Sequence, residues 1–362
     1  MISKSLKRIN RVLFFFILLF TGLYFAASIL IPLAFGILFA MLMHKMANYF
    51  ENRGMGRGAS STICTLIVFF VLVGLGAMLT RQLTLFTEDI PQLMDQLAEN
   101  YNQIRQFIYE NFGFSYLEQE QFLEERREEL ANNAGDFIQS ALEGLMSAFL
   151  GFLLVLIYMF LMLLNRDKYE DIIALAAKED VRGKSISIAK ESSNVAQKYL
   201  WGRIQVMIVL GILYLITFLS FGLEYAVLLT IFGTLITIIP YLGPFISGIA
   251  PILIAIITGV DFTTIIVLAV LVFIIQLIES YVLEPVLMGS EVNLSPLSII
   301  FILLVGNAVW GIAGMILFVP MLAMAKIYFD HMEDLKPYGR LIGSNGKDNK
   351  SMFENLINKF RG

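Results

Sequence analysis

Residues 225–257 read YAVLLTIFGTLITIIPYLGPFISGIAPILIAII, 33 residues without a charge, cut near the middle by Pro240-Tyr241-Leu242-Gly243-Pro244. A continuous helix does not pass through this centre. Pro240 and Pro244 each remove a backbone donor and crowd the preceding turn, and Gly243 tolerates positive φ. The stretch is therefore expected to break into two half-helices, which brings backbone polar groups to membrane depth. Lipid supplies no partner for such groups, so they are tolerated only where protein or a watery cavity covers them. Interrupted helices of this kind present carbonyls and helix ends to solutes in transporters, whereas a plain proline kink carries no ligand role.

Membrane depth itself is set by the rest of the chain. Hydrophobic residues make up 57% and charged residues 15% of the 362 positions, with a mean hydropathy of +0.74. Soluble domains carry about a quarter charged residues, so the solvent of this fold is lipid. A bilayer core of about 30 Å takes about 20 apolar residues in a helix. Candidate spans are 12–28, 29–47 around Pro32, 62–79, 145–164, 204–221 and 262–283. The apolar run beginning at Val12 continues almost unbroken to Met43, which does not match a cleavable leader and is read as a retained anchor.

Lys4, Lys7, Arg8 and Arg11 precede the first span with no acidic residue among them, which places the N-terminus in the cytoplasm. Alternation then puts Lys45, Arg53 and Arg57 inside, 81–143 outside and the basic connector 166–203 inside. The basic tail with Lys336 and Arg340 favours a cytoplasmic C-terminus. The outer segment is acidic, and Met94, Leu97, Tyr101, Ile104 and Ile108 alternate three and four residues apart, as Leu123, Leu130 and Phe137 repeat every seven. Heptad spacing predicts a helical hairpin or part of an oligomeric bundle there.

A second interrupted stretch, 297–329, is cut by Gly306-Asn307 and by Gly311 and Gly314, with Pro320 beyond. If 225–257 and 297–329 both cross fully, the loop Gly259-Val260-Asp261 faces the cytoplasm and the linker 284–296 faces outward. If both are re-entrant hairpins of opposite orientation, the reading favoured here, these sides exchange. Both linkers lack Lys and Arg, so charge does not arbitrate.

The expected fold is thus all-α: a polytopic helical membrane protein with about eight membrane segments, two of them re-entrant hairpins, and an extracytoplasmic helical insert. Its regions are N-terminal helices 1–80, insert 81–144, membrane helix 145–165, amphipathic connector 166–203, transport core 204–329 and cytoplasmic tail 330–362.

Between the two broken stretches runs a helix that ends in Gln276, Glu279, Tyr281 and Glu284-Pro285. An amide and a carboxylate at i and i+3 share nearly one face. An ionisable group at this depth is a candidate for handling a solute, ion or proton. Glu279 is the first such candidate; an interfacial position for Glu279 and Glu284, with Glu284 solvated before Pro285, is the alternative. Asn307 offers a donor and an acceptor at the second break and equally suits the freed backbone there.

Other chemistries are set aside. The net charge of −4, with basic residues scattered between apolar blocks, leaves no nucleic-acid footprint. A single cysteine, Cys64, excludes intrachain disulfides, and His44 and His331 form no metal-binding spacing. No GxSxG or intramembrane aspartate pair points to an enzyme, and no cofactor is expected.

The ordered motifs Tyr199-Leu200-Trp201-Gly202, 239–244, Gln276 with Glu279, Glu284-Pro285 followed by Gly289, Leu294 with Pro296, and Gly311 to Gly314 leading to Pro320 resemble the autoinducer-2 exporter family of bacterial membrane proteins, also described as predicted permeases. The family pattern often has a second glutamine where Ile275 stands. The resemblance implies an inner-membrane transporter and a homo-oligomer, with a pentamer as one form. It implies export of a small polar solute such as autoinducer-2 in some members and sodium or proton antiport in others. On this reading Pro240, Tyr241, Gly243, Pro244 and Asn307 line the pathway, Gln276 orients the solute, and Glu279, with Glu284 and Pro285 beside it, meets H+ or Na+. A non-transporting oligomeric scaffold working through its acidic outer helices is the competing class.

Overall fold

The computed structural model describes residues 2–113, 115–176, 182–288 and 294–344. Among them the chain is helical throughout, with one isolated bridge between Leu294 and Gly343 and no strand. Helices α1 to α6 are Ile2–Phe25, Ala27–Glu51, Arg57–Phe112, Tyr116–Leu164, Arg166–Ala176 and Arg182–Ser220. There follow α7 Ala226–Ile236, α8 Leu242–Ile257, α9 Phe262–Ile278, a π-helical segment Glu279–Met288, α10 Pro296–His331 and α11 Lys336–Ile342. Among the described residues five helices are long and apolar enough to cross a bilayer: Ala27–Glu51, Arg57–Leu93, Ser185–Ser220, Phe262–Met288 and Pro296–His331. Shorter apolar helices complete the set, and the protein is an all-α, multi-pass membrane protein.

The segment 81–144 is helical and continuous with the flanking membrane segments. α3 runs 56 residues and α4 runs 49, about 84 Å and 74 Å at 1.5 Å per residue, so apolar and acidic segments share single rods. The side chains at the heptad positions Met94, Leu97, Tyr101, Ile104, Ile108, Leu123, Leu130 and Phe137 lie outside the described residues, as do Gly289 and the tail beyond 344. Connector and span likewise fuse in α6.

The chain divides into two compact units, Met1–Leu66 with Gly151–Gly202 and Met288–Gly362, and Ile67–Leu150 with Arg203–Leu287. In the first unit, α1 and α2 are separated by Ala26 alone, whose φ of −89° and ψ of 9° bend the path. The Leu23 carbonyl at this bend accepts the Trp310 indole N–H at 2.9 Å. Farther along α2, the Met41 and Leu42 carbonyls accept from Gln197 Nε2 at 2.9 Å and Trp201 Nε1 at 3.0 Å. Trp201, part of the YLWG motif, therefore ties α6 to α2. Leu38, Ala196, Trp310, Leu317 and Phe318 form the core between these helices.

α10 is one helix by its hydrogen bonds only in part. Trp310 (φ −130°, ψ 16°) and Gly311 (φ 58°, ψ −139°) leave helical geometry, and the chain reverses there. A straight helix would hold Gly306 and Gly314 about 12 Å apart. Instead a Cβ on Gly306 would fall 2.6 Å from the Gly314 carbonyl oxygen, so the two backbones touch. The ends agree: Ser295 N–H donates to the Ile342 carbonyl at 2.8 Å. The 11 residues from His331 to Ile342 reach at most about 36 Å, too short to return along a straight 36-residue helix of about 54 Å. The expected break is therefore a tight helical hairpin, with His331 at its open end facing Glu191 at 3.3 Å.

In the second unit, α7 and α8 form the other hairpin. Ile239 O accepts from Gly243 N–H at 2.9 Å, and Pro240 O from Leu242 N–H at 2.8 Å. Tyr241 turns the corner at φ 64°. Two residues on, only glycine fits: a Cβ on Gly243 would overlap the Ile236 carbonyl and the Thr237 Cα. The open end of this hairpin starts at Tyr225, which donates its hydroxyl to Asp89 Oδ2 at 2.9 Å and meets the Phe86 ring edge-on. α9 begins at Asp261, an N-cap whose side chain accepts the Thr264 N–H and hydroxyl at 2.9 and 2.6 Å. Those bonds hold the Asp261 carboxyl below the usual carboxylate range.

Candidate functional site

The packed face of α9 is Leu268, Val272 and Ile275, at steps of four and three residues. The next step on that face is Glu279, fully buried. The face of α6 that is buried within the unit reads Val206, Leu210, Tyr214 and Phe218, and the step before it is Arg203, exposed by only 3%. Two apolar stripes thus each end in a charge, and the two charges meet.

Arg203 Nη1 lies 2.7 Å from Glu284 Oε1 and 3.7 Å from Glu279 Oε1. The first distance is a charge-assisted hydrogen bond. The second is an ion pair too long for one. Residues five apart point to different faces of an α-helix. The i→i+5 bonding of the π-helix that begins at Glu279 stacks them, so Glu279 and Glu284 both reach one guanidinium. Glu284 is 40% exposed on its side chain, so the cluster runs from a partly solvated carboxylate inward to a sealed one. Arg203 Nε and Nη2 and both oxygens of Glu279 are buried without a hydrogen-bond partner in the protein. Leaving such groups unpaired costs about 1–3 kcal/mol each, more for charged groups, and structures keep them only where they are used or strongly compensated.

One turn before Glu279, Gln276 Nε2 donates to the Pro244 carbonyl at 2.6 Å, and the same oxygen accepts Ser247 Oγ at 3.1 Å. Both lone pairs of that carbonyl are therefore engaged by protein. The Gln276 amide also lies against Gly248, leaving no room for a Cβ there. Tyr214 OH and Ser247 Oγ are 3.3 Å apart, which joins α6 to α8. The hairpin tip is thus fastened by a glutamine, a serine and a tyrosine, one helical turn from the buried charges.

Of the residues singled out from sequence, the structure brings Pro244, Gln276, Glu279 and Glu284 into one connected set. Pro240, Tyr241 and Gly243 build the hairpin corner in the same unit, with Pro240 O internally bonded and Tyr241 exposed. Pro285 is exposed within the π-helix, and Asn307 is exposed on α10 in the other unit. Ile275 is buried beside Glu279. Arg203, Tyr214 and Ser247 are not among the site residues singled out from sequence. Arg203 is counted there as one of the basic residues of the connector 166–203. Its register three residues before Val206, on the stripe that continues to Tyr214, is the signal that marks it as inward-facing.

Among the described residues no group of three or more His, Cys, Asp or Glu side chains is arranged to hold a metal ion. The sequence matches the family described as "AI-2E family transporter" over residues 13–334. The chain belongs to the AI-2E transporter family. Similar proteins include "Putative transport protein YrrI" of Bacillus subtilis (strain 168), 26% identical over 316 residues that cover 84% of this chain and 86% of that protein. "Putative transport protein YhhT" of Escherichia coli (strain K12) is 21% identical over 318 residues, 87% of this chain and 88% of its own. "Putative permease PerM" of the same strain is 26% identical over 190 residues, 52% of this chain and 53% of its own. Family membership makes this AI-2E chain a multi-pass membrane protein of a transporter family, and the buried cluster of Arg203, Glu279 and Glu284 sits well inside the matched range.

Proposed function

We propose that the protein is an ion-coupled secondary transporter that moves a small polar solute, of the kind represented by autoinducer-2 or a related metabolite, by alternating access. The observation that carries this reading is Glu279: a fully buried carboxylate whose two oxygens accept no hydrogen bond in the protein, one helical turn from the amide that fastens a broken helix. A carboxylate kept at such a place is suited to take up and release a proton or cation as the hairpin moves. Gln276 serves to couple the occupancy of that site to the α7–α8 hairpin through Pro244.

The two hairpins are read as re-entrant and oppositely oriented. Tyr225, at the open end of the first, bonds Asp89 in the segment that the basic-residue bias assigns to the outside, and His331, at the open end of the second, faces Glu191 in the connector assigned to the inside. On this reading both termini are cytoplasmic, the membrane is the bacterial inner membrane, and copies assemble as a homo-oligomer as the family resemblance implies. Sodium/proton antiport is the second reading, and it is favoured by the two Glu279 oxygens that no donor occupies. Purified protein in liposomes screened against sugars, polyols, hydroxy acids and Na+ separates the two. Solute uptake abolished by Glu279→Gln supports the first reading; Na+-driven proton flux with no solute moved supports the second.

A further inference from the structure

Arg203 carries its charge in an unusual division. One nitrogen, Nη1, is shared between Glu284 at 2.7 Å and Glu279 at 3.7 Å. The other two, Nε and Nη2, are buried and meet no acceptor in the protein. These two N–H groups point from one edge of the planar guanidinium, and that edge is the fork that holds two oxygens of one carboxylate or phosphate side by side. A guanidinium meant only to neutralise Glu279 would turn this fork toward it. Here the better geometry goes to Glu284, and the fork is left over.

We infer that the Nε/Nη2 edge of Arg203 is the binding site for the carboxylate of a small monoanionic organic acid, taken up together with one proton on Glu279. The inference rests on the transporter reading and names its solute class and coupling. Charge decides the coupling. Arg203 with ionised Glu279 and Glu284 sums to one negative charge, and a second anion brought into this poorly solvated place would raise that to two, which low-dielectric surroundings oppose strongly. A proton arriving on Glu279 as the anion arrives on Arg203 keeps the sum constant. The proton leaves Glu279 for water when the anion leaves Arg203. A dianion such as sulfate would need two compensating protons where one sealed carboxylate is present, so the site discriminates for a single charge. The groups that face Glu279 are Arg203 and Tyr214 of α6 and Glu284 of its own π-helix; α7 and α8 bring no charged side chain. The fork is closed to solvent in this conformation, so loading requires the same hairpin movement that alternating access requires.

The test uses the full chain in detergent micelles, with the thermal midpoint read against concentration for D-gluconate, L-lactate, glucose, inorganic sulfate and NaCl at pH 5.5 and pH 8. The expected result is that gluconate or lactate raises the midpoint and the other three do not, with apparent affinity rising by up to about tenfold for each pH unit removed, as one linked proton requires. Arg203→Lys keeps the charge, loses the fork, and is expected to weaken the carboxylate by about tenfold or more. Glu279→Gln, a fixed mimic of the protonated acid, is expected to bind at pH 8 as it does at pH 5.5. If Arg203→Lys fails to fold, the pH profile of Glu279→Gln decides alone. The inference is overturned if no carboxylate binds, if glucose, sulfate or Na+ binds in its place, or if the pH dependence survives in Glu279→Gln. Uptake by liposomes separates this from the parent reading: a carboxylate bound but never moved defeats transport and leaves the site, whereas a neutral solute moved without carboxylate binding does the reverse.

Discussion

The guanidinium of Arg203 stands 3.7 Å from the carboxylate of Glu279, with the two side chains only 3% and 1% exposed. Removing either partner strands the other charge in a place water does not reach. Arg203→Met is therefore expected to destabilise the protein by about 3–5 kcal/mol, and adding Glu279→Met to recover most of that loss, because an apolar pair of similar volume avoids the desolvation cost altogether. Denaturant unfolding in micelles checks both. Equal loss in the single and double variants would mean that Arg203 matters for Glu284 and not for Glu279.

The second hairpin depends on backbone contact between Gly306 and Gly314. Gly314→Ala inserts a methyl into the Gly306 backbone and is expected to cost about 1–3 kcal/mol as the two halves of α10 are pushed apart. Gly151→Ala, on α4 with open space around its Cβ position, is the control. It is expected to be neutral or to stabilise by about 0.5–1 kcal/mol, the usual gain of alanine over glycine inside a helix. Thermal midpoints of the two variants give the comparison.

Tyr241 holds positive φ at the corner between α7 and α8. With ψ at −49° this is strained γ-turn backbone, closed by Leu242 N–H on the Pro240 carbonyl; such a conformation costs a non-glycine residue about 1–2 kcal/mol, and glycine loses about 0.5–1 kcal/mol of its own in backbone entropy. The first effect wins, so Tyr241→Gly is expected to stabilise by up to about 1 kcal/mol and Tyr241→Val to destabilise, read by denaturant midpoint. A corner kept strained against that gain fits a place that must move.

The hairpin reading fixes a side of the membrane for the loop before α9. Val260→Cys, made in a Cys64→Ala background, is expected to react with an impermeant maleimide added outside intact cells. Labelling only after the inner face is opened would make 225–257 a full crossing.

Most of the helical plan was legible because lipid reads sequence simply: apolar length gives spans, and proline with glycine at the centre of 225–257 gives a break. The second break was legible from Gly306, Gly311 and Gly314, though the reversal itself needs the φ of 58° at Gly311, which no composition announces. The acidic composition of 81–144 marks the polarity of the insert but not where its helices begin and end. Backbone hydrogen bonding does not stop where polarity changes, so α3 and α4 continue through it. Glu279 stood out as a carboxylate inside an apolar helix. Arg203 did not, since a basic residue at the inner end of a span is ordinary, and its inward face shows only when its register with Val206, Leu210 and Tyr214 is followed. The joining of Glu279 to Glu284 across five residues was illegible too, because it depends on a π-helix in place of the α-helix the pattern suggests.

The central claim is that Glu279 couples ion movement to solute movement, and proton flux into liposomes containing the purified protein tests it most directly. With a pH dye trapped inside, a panel of hydroxy acids, polyols and sugars is added outside, each with and without Na+. The wild-type chain is expected to move protons in response to at least one of them, and Glu279→Gln to lose that response by about tenfold or more while it still inserts and folds. Equal flux in the two proteins, or none from the folded wild type, would contradict the account.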